Sequence, residues 1–308
     1  MSSNENIFEK ACLIQLSTSV WQGTRALDSE VMQRLNNNGA WLKGRKYLIN
    51  PELLGPVKTV VHRARREAVI THTLPFPITG LYLVPKESIE TVESKLQFFR
   101  DRFWEKVNEF ESIYDEARQE ARQILGELFD SEEYPDDITT KFRFEWKFVT
   151  LTMPGKDTIL SPEIYEQEKQ KFISMVDEAR EMGIRALHQE LSDNVAYLMD
   201  RLSGNNGKGK ILKSAMFNRM NAFLEDLETK NVFNDQRLRE LAEEAKSVIN
   251  NADSNSLKYS ESLRNHIHDQ MSQLKDSIDE SIEDIPRRRI RMESADDMEM
   301  DYPAAQSA

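Results

Sequence analysis

Between Pro85 and Phe129 the apolar residues recur at a period that predicts one long helix. Ile89, Val92, Leu96, Phe99, Phe103, Val107, Phe110, Tyr114, Ala117, Ala121, Ile124 and Leu128 are separated by alternating steps of three and four. This is the a/d seam of a heptad repeat. One extra step of four, from Phe103 to Val107, reads as a stutter that locally unwinds a supercoil. A continuous helix here would reach roughly 65 Å at about 1.5 Å per residue. A rod of that length predicts a scaffold or lever rather than a catalytic pocket.

Other segments follow different periods. From Cys12 to Trp21 the pattern alternates, with Cys12, Ile14, Leu16 and Val20 on one face and Gln15, Ser17 and Ser19 on the other, predicting a half-buried strand. Asp28 is a candidate cap for a short helix through Val31, Met32 and Leu35 that ends in Asn36–Gly39. Val57, Val60, Val61, Ala64 and Ala68 form a helical stripe, Leu74-Pro75-Phe76-Pro77 must be extended, and a short strand from Gly80 to Val84 leads into the rod. Lys141 to Thr152 is the clearest strand. Phe142, Phe144, Trp146 and Phe148 share one face against Lys141, Arg143, Glu145 and Lys147, and those aromatics must pack on the Val57–Ala68 stripe or on the base of the rod. The strands near 12, 80 and 141 are then expected in one small sheet.

Ser161-Pro162-Glu163 is a strong helix start. The helix it opens runs to about Leu202, with Gly183 interrupting its stripe, and it is expected to lie antiparallel to the rod. Gly204 to Lys210 reads as a break, followed by helices at about 210–229, 235–250 and 256–285, the last stopped by Pro286. The expected fold class is mainly α with a small β-sheet: an elongated antiparallel coiled-coil bundle with an α+β head. Its expected parts are a head at 1–84 (with strand 140–153), a helical hairpin at 85–204, a helical region at 205–286 and a disordered charged tail at 287–308.

Composition narrows the function classes. The chain has 308 residues, 39% hydrophobic and 31% charged, with 53 acidic against 41 basic side chains and a net charge of −12. Charged residues make up about 25% of an ordinary globular domain, so the balance suits a rod that needs only a narrow apolar stripe. The acidity disfavours general nucleic-acid binding, although a local basic patch can override a total. Cys12 is the single cysteine, so no internal disulfide forms and a buried inert thiol is expected. No apolar run approaches the ~20 residues of a membrane span. The first ten residues lack the pattern of a signal peptide. A cytoplasmic protein is expected, of a bacterium or of a host cell if phage-encoded.

Few motifs carry chemistry. Gly204-Asn205-Asn206-Gly207-Lys208-Gly209-Lys210 has the spacing of a phosphate loop, but Ile211 stands where Ser or Thr should ligate magnesium and no strand precedes it. A hinge is the preferred reading. His266 and His268 point about 200° apart on a helix and cannot share a metal, and His62, His72 and His188 are isolated. No nucleophile–base signature is present. The expectation is a protein without catalytic residues, cofactor or metal. The basic region is Lys43, Arg45, Lys46, Lys58, Arg63, Arg65 and Arg66, against Glu52 and Glu67. It is a candidate contact for a protein partner or nucleic acid. The protein reading is preferred because no aromatics interleave with these charges as a single-strand platform requires.

Three stretches carry a resemblance: Leu13–Gly23, Leu48-Ile49-Asn50-Pro51-Glu52-Leu53-Leu54 leading into the basic helix, and Gly80-Leu81-Tyr82-Leu83-Val84-Pro85 opening the rod, with Phe142-Arg143-Phe144-Glu145-Trp146 in the matching place. Over about residues 10 to 155 the chain resembles an uncharacterised family of bacteria and their phages. Genes of that family often accompany a MoxR-type AAA ATPase and a von Willebrand factor A-domain protein. The resemblance implies a non-enzymatic scaffold or adaptor acting with such an ATPase, and it supplies no site residues. The alternatives are a nucleic-acid-binding factor using Lys58, Arg63, Arg65 and Arg66, and a phage structural or assembly protein that self-associates through its helical seams.

Overall fold

The computed structural model describes residues 7–28, 31–32, 43–152, 161–203, 214–250 and 260–285. The 204–210 loop, the Asn36–Gly39 helix end and the 287–308 tail lie outside them. A helical turn at Ile7–Lys10 leads into β1 (Ala11–Ser19). The chain continues through β2 (Thr24–Ala26), β3 (Arg45–Tyr47), α1 (Gly55–Ala64), β4 (Leu74–Pro75), β5 (Leu81–Pro85), α2 (Ile89–Ser112), α3 (Tyr114–Leu125) and β6 (Arg143–Val149). Four longer elements follow: α4 (Pro162–Leu202), α5 (Ser214–Lys230), α6 (Gln236–Asn250) and α7 (Glu261–Asp284). The architecture is mainly helical around a small antiparallel sheet, in keeping with the sequence pattern.

The sheet has the order β4-β5-β1-β6, all antiparallel, and β2 and β3 form a separate ribbon. Pro75 keeps β4 short at one edge, since proline cannot donate to a ladder. At the other edge β6 alternates its aromatics with Arg143, Glu145 and Lys147, and such charges discourage further strand pairing. Both faces of the sheet are covered, which differs from the half-buried strand expected at β1. Leu74, Leu83, Leu13 and Val149 stand opposite one another across all four strands and face a core made with α4, α5, α6 and α7. One residue along, Ile14 turns to the other face and joins α1, α2 and α3 in a second core. Leu13 and Ile14 are both fully buried, because helices lie on both sides of the strand that period-two reading assigns to one.

The 85–129 seam is buried as the heptad pattern predicts from Val92 to Ala121. The helix is not continuous, however. It opens as a 3-10 turn at Lys86–Ser88, breaks at Ile113 (φ −109°, ψ 3°), and ends at Leu125 with Gly126 at φ +52°. In the last turn before that glycine the heptad register is lost: Ile124 is 74% exposed, and Leu125 packs inward in its place. Four β6-side and rod aromatics account for the packing. Phe103 lies 6.3 Å from Phe142 and 5.4 Å from Phe144, and Phe110 lies 6.0 Å from Phe142. The aromatic strand therefore packs on the rod, and α1 covers the rod's other flank.

The antiparallel hairpin expected over 85–204 is not what these contacts describe. The rod and α4 belong to different cores, on opposite faces of the sheet, because β6 returns the chain to the sheet between them. The partner of α4 is α7. Arg185 reaches Ile285, His188 reaches Ser281 and Ser192 reaches Asp279, so the two helices run antiparallel. Gly183 does not bend α4. A Cβ there would meet Phe233 at 2.4 Å, so the glycine is what lets that ring close onto the helix.

Candidate functional site

The seven cations singled out by the sequence fall into two groups. Lys43, Arg45 and Lys46 sit on or beside the β2–β3 ribbon. Lys46 is used internally: its Nζ donates to the Leu128 carbonyl at 2.6 Å and pairs with Glu133 at 2.6 Å, tying the ribbon to the end of the rod. Arg45 donates to Thr24 Oγ1 at 3.0 Å and lines a groove of about 510 Å³ with Arg25 and Lys141, faced by Glu132 and Glu133. Lys43 is exposed.

Lys58, Arg63, Arg65 and Arg66 follow the solvent side of α1. The helix buries Val57, Val61, Ala64 and Ala68, and these four cations take the remaining faces. After Ala64 the helix widens into a π turn at Arg65–Val69 and then tightens to 3-10 at Ile70–His72. Such turns are rare and recur at functional sites. Thr71 Oγ1 donates to the Arg66 carbonyl at 2.8 Å across the widened turn. Glu67 takes hydrogen bonds from Arg63 at 3.1 Å and Arg66 at 3.0 Å, which hold its carboxyl below the ordinary range. Arg66 remains 72% exposed, so this fork is an open surface feature of little energetic weight. α2 brings aromatic rings to the same place. The Arg63 guanidinium lies 5.8 Å from the Phe99 ring, and Phe98 is 55% exposed with Arg102 5.9 Å from its ring. Of these rings only Phe99 meets a cation of the basic stretch, and it does so from the core, 4% exposed.

The C-terminal core buries polar groups of its own. His188, 2% exposed, stands with Nδ1 2.7 Å from Ser281 Oγ and Nε2 3.5 Å from Asp235 Oδ1. Ser281 Oγ also donates to the Ile278 carbonyl at 2.6 Å. Asp235 caps α6, accepting from the Leu238 amide at 2.6 Å. The hydrogen bond from His188 and that amide hold its carboxyl below the ordinary range. These residues line a cavity of about 630 Å³ between α4, α6 and α7. Nearer the sheet, Lys230 is 1% exposed and pairs with Asp226 at 2.8 Å and Glu190 at 3.2 Å. Burial pushes the Glu190 carboxyl up, against the pull of Lys230.

A family model described as protein of unknown function (DUF3150) matches residues 8–242. The chain belongs to the DUF3150 family. No curated protein and no solved structure matches it. The DUF3150 match extends well past the stretch over which the resemblance was read, through α4 and α5 into α6. His188, Glu190, Lys230 and Asp235 lie inside it, while Ser281 and the rest of α7 lie beyond it.

The buried polar clusters were missed when the histidines were taken singly. A period-based signal was present, since Leu187, His188, Leu191, Ser192 and Val195 fall on one face of α4 and all are buried. His62 is exposed, and His266 and His268 lie on the outer side of α7 beside buried Ile267. Among the described residues no group of three or more His, Cys, Asp or Glu is placed to hold a metal, and no helix is long and apolar enough to cross a membrane. Cys12 is half-buried rather than fully enclosed, and burial pushes its thiol up, consistent with an unreactive group.

Proposed function

We propose that this DUF3150 protein is a non-enzymatic helical scaffold or adaptor, acting as an accessory of a MoxR-type AAA ATPase and a von Willebrand A-domain protein in a bacterium or phage. The observation that carries the reading is the doubly covered sheet. With Leu13 and Ile14 both fully buried on opposite faces, the two helical layers share one strand and move as one body. A load applied to α2 and α3 is passed to α4 and α7 through β1. Close packing of such interiors transmits strain rather than absorbing it. On this reading the antiparallel α4–α7 pair is the coiled-coil arm, the sheet with α1 is the head, and the work is done in the cytoplasm. Affinity capture from the native host tests it: an ATPase or an A-domain protein is expected in the eluate. Nucleotide hydrolysis by the purified chain alone would overturn it.

A second reading is a nucleic-acid contact through α1. The observation favouring it is the exposed Phe98 ring with the Arg102 guanidinium 5.9 Å from it, because a ring face beside a cation lets a base stack while a phosphate is neutralised. Salt-dependent binding of a single-stranded oligonucleotide, lost on charge reversal of Lys58, Arg63, Arg65 and Arg66, is its expected signature. Absence of binding at low salt would remove it.

A further inference from the structure

β6 is an end strand of the sheet. β1 pairs with one side of it from Arg143 to Val149, and among the described residues no backbone group pairs with the other side. An edge of this kind is a template for another strand. The side chains are unspent as well. Arg143, Glu145 and Lys147 are exposed, and none has a side-chain ion pair or hydrogen bond among the described residues. On the opposite face Phe148 is 37% exposed and Trp146 is half-buried.

The order of residues along β6 is complementary to itself. Two antiparallel copies of Arg143-Phe144-Glu145-Trp146-Lys147-Phe148-Val149, centred on Trp146, set Glu145 of each opposite Lys147 of the other. The same alignment sets Phe144 opposite Phe148 and Trp146 opposite Trp146. Opposite charges and facing aromatics are the pairs that stabilise an antiparallel ladder. Neighbouring registers fail. A slip of one residue turns the charged face of one copy to the aromatic side of the other. A slip of two residues one way sets Arg143 opposite Lys147 and Glu145 opposite Glu145, and the other way it sets Lys147 opposite Lys147. Like charges directly opposite are destabilising. The charges that discourage a foreign strand therefore admit a second copy in one alignment.

The helical layers leave room for it. Arg143, Glu145 and Lys147 share their face with Ser19, Ser17 and Gln15, and the C-terminal helices cover that face only toward Leu13 and Val149. A two-fold axis through Trp146 places the C-terminal layers of the two copies at opposite ends of the joined sheet.

We infer that the free edge of β6 pairs with β6 of a second copy of this chain, in an antiparallel two-fold contact that continues the four-stranded sheet of one copy into that of the other. The contact is isologous, each copy giving the same residues. A seven-residue strand is a small surface beside the ~1,200–2,000 Å² of a stable complex, so the dimer forms as concentration rises.

Sedimentation equilibrium of the full-length chain tests this. The mass should climb from one chain toward two between about 10 µM and 1 mM. Lys147→Glu sets acid opposite acid, and Glu145→Lys sets base opposite base. Each alone, at an exposed position, should weaken association about tenfold or more. An equal mixture of the two variants should associate as the unsubstituted chain does, because each then meets the opposite charge. The chain carrying both substitutions should do the same. A single-chain mass throughout that range would overturn the inference. So would a dimer indifferent to both charge changes, which would place the contact elsewhere, or a mixture that fails to associate.

Discussion

The layer of helices on one face of the sheet is aromatic, and the layer on the other is aliphatic and ionic. Around α2 and α3 the core is Phe99, Phe103, Phe110 and Tyr114 with Trp21, Phe142 and Phe144. Its buried hydroxyls end on carbonyls: Tyr134 donates to Leu48 at 2.6 Å and Tyr114 to Pro135 at 3.1 Å. Burial pushes the Tyr114 phenol up to about 12, so it remains a donor. The other layer is built mostly from Leu, Val, Ile, Met and Ala along α4 to α7, with Phe217 among them, and it holds His188, Ser192 and Lys230 inside. Large rings have few ways to interlock, so shape alone fixes the first layer. Aliphatic helices slide past one another more readily, and buried polar pairs are a known means of fixing their register. The difference teaches that the two halves lose stability by different routes.

The largest expected effect is in the aromatic layer. Phe103→Ala should cost about 3–5 kcal/mol, read as a shift in the denaturant midpoint with unchanged slope. Lys230→Ala should cost about 2–3 kcal/mol, below the range for a fully buried pair because Glu190 and Asp226 keep contact with water. Lys230→Met should recover most of that loss, and a Met variant as damaged as Ala would argue against charge imbalance as the cause. Gly183→Ala should cost about 1–3 kcal/mol through overpacking against Phe233, and pairing it with Phe233→Leu should relieve the loss.

A smaller effect separates the layers by pH. The Asp235 carboxyl is held below its unfolded value, so its contribution is present above that value and is lost as pH falls through the folded one. Asp235→Asn should cost little as a helix cap, since Asn accepts from the Leu238 amide about as well as Asp, and should flatten the decline of stability below about pH 4. A decline as steep as that of the unsubstituted chain would place the acid sensitivity elsewhere. Least of all, Glu67→Ala should leave the unfolding midpoint unchanged, because the Arg63–Glu67–Arg66 fork is exposed.

The sequence pattern made part of this legible. The seam from Val92 to Ala121 could be read because every residue of that face touches the same core, and it failed at Ile124 because Gly126 ends the helix one residue after Leu125. Leu13 was hidden between Cys12 and Ile14. The polar run Gln15, Ser17, Ser19 marks that face as solvated, yet the C-terminal helices cover its first half alone. The α1 cations were visible as composition, whereas Phe99 reaches Arg63 only through tertiary packing. His188 and Lys230 carried no motif, since what distinguishes them is enclosure by helices far apart in sequence.

The pairing of Leu13 with Val149 also has a consequence during synthesis. β1 leaves the ribosome well ahead of β6 and lacks that neighbour until β6 has been translated, a wait on the order of ten seconds at ~5–20 residues per second. Its second covering, from α4 onward, comes later still. For that interval a strand with two oily sides is exposed, which makes this nascent chain a natural client for a chaperone that holds extended apolar segments.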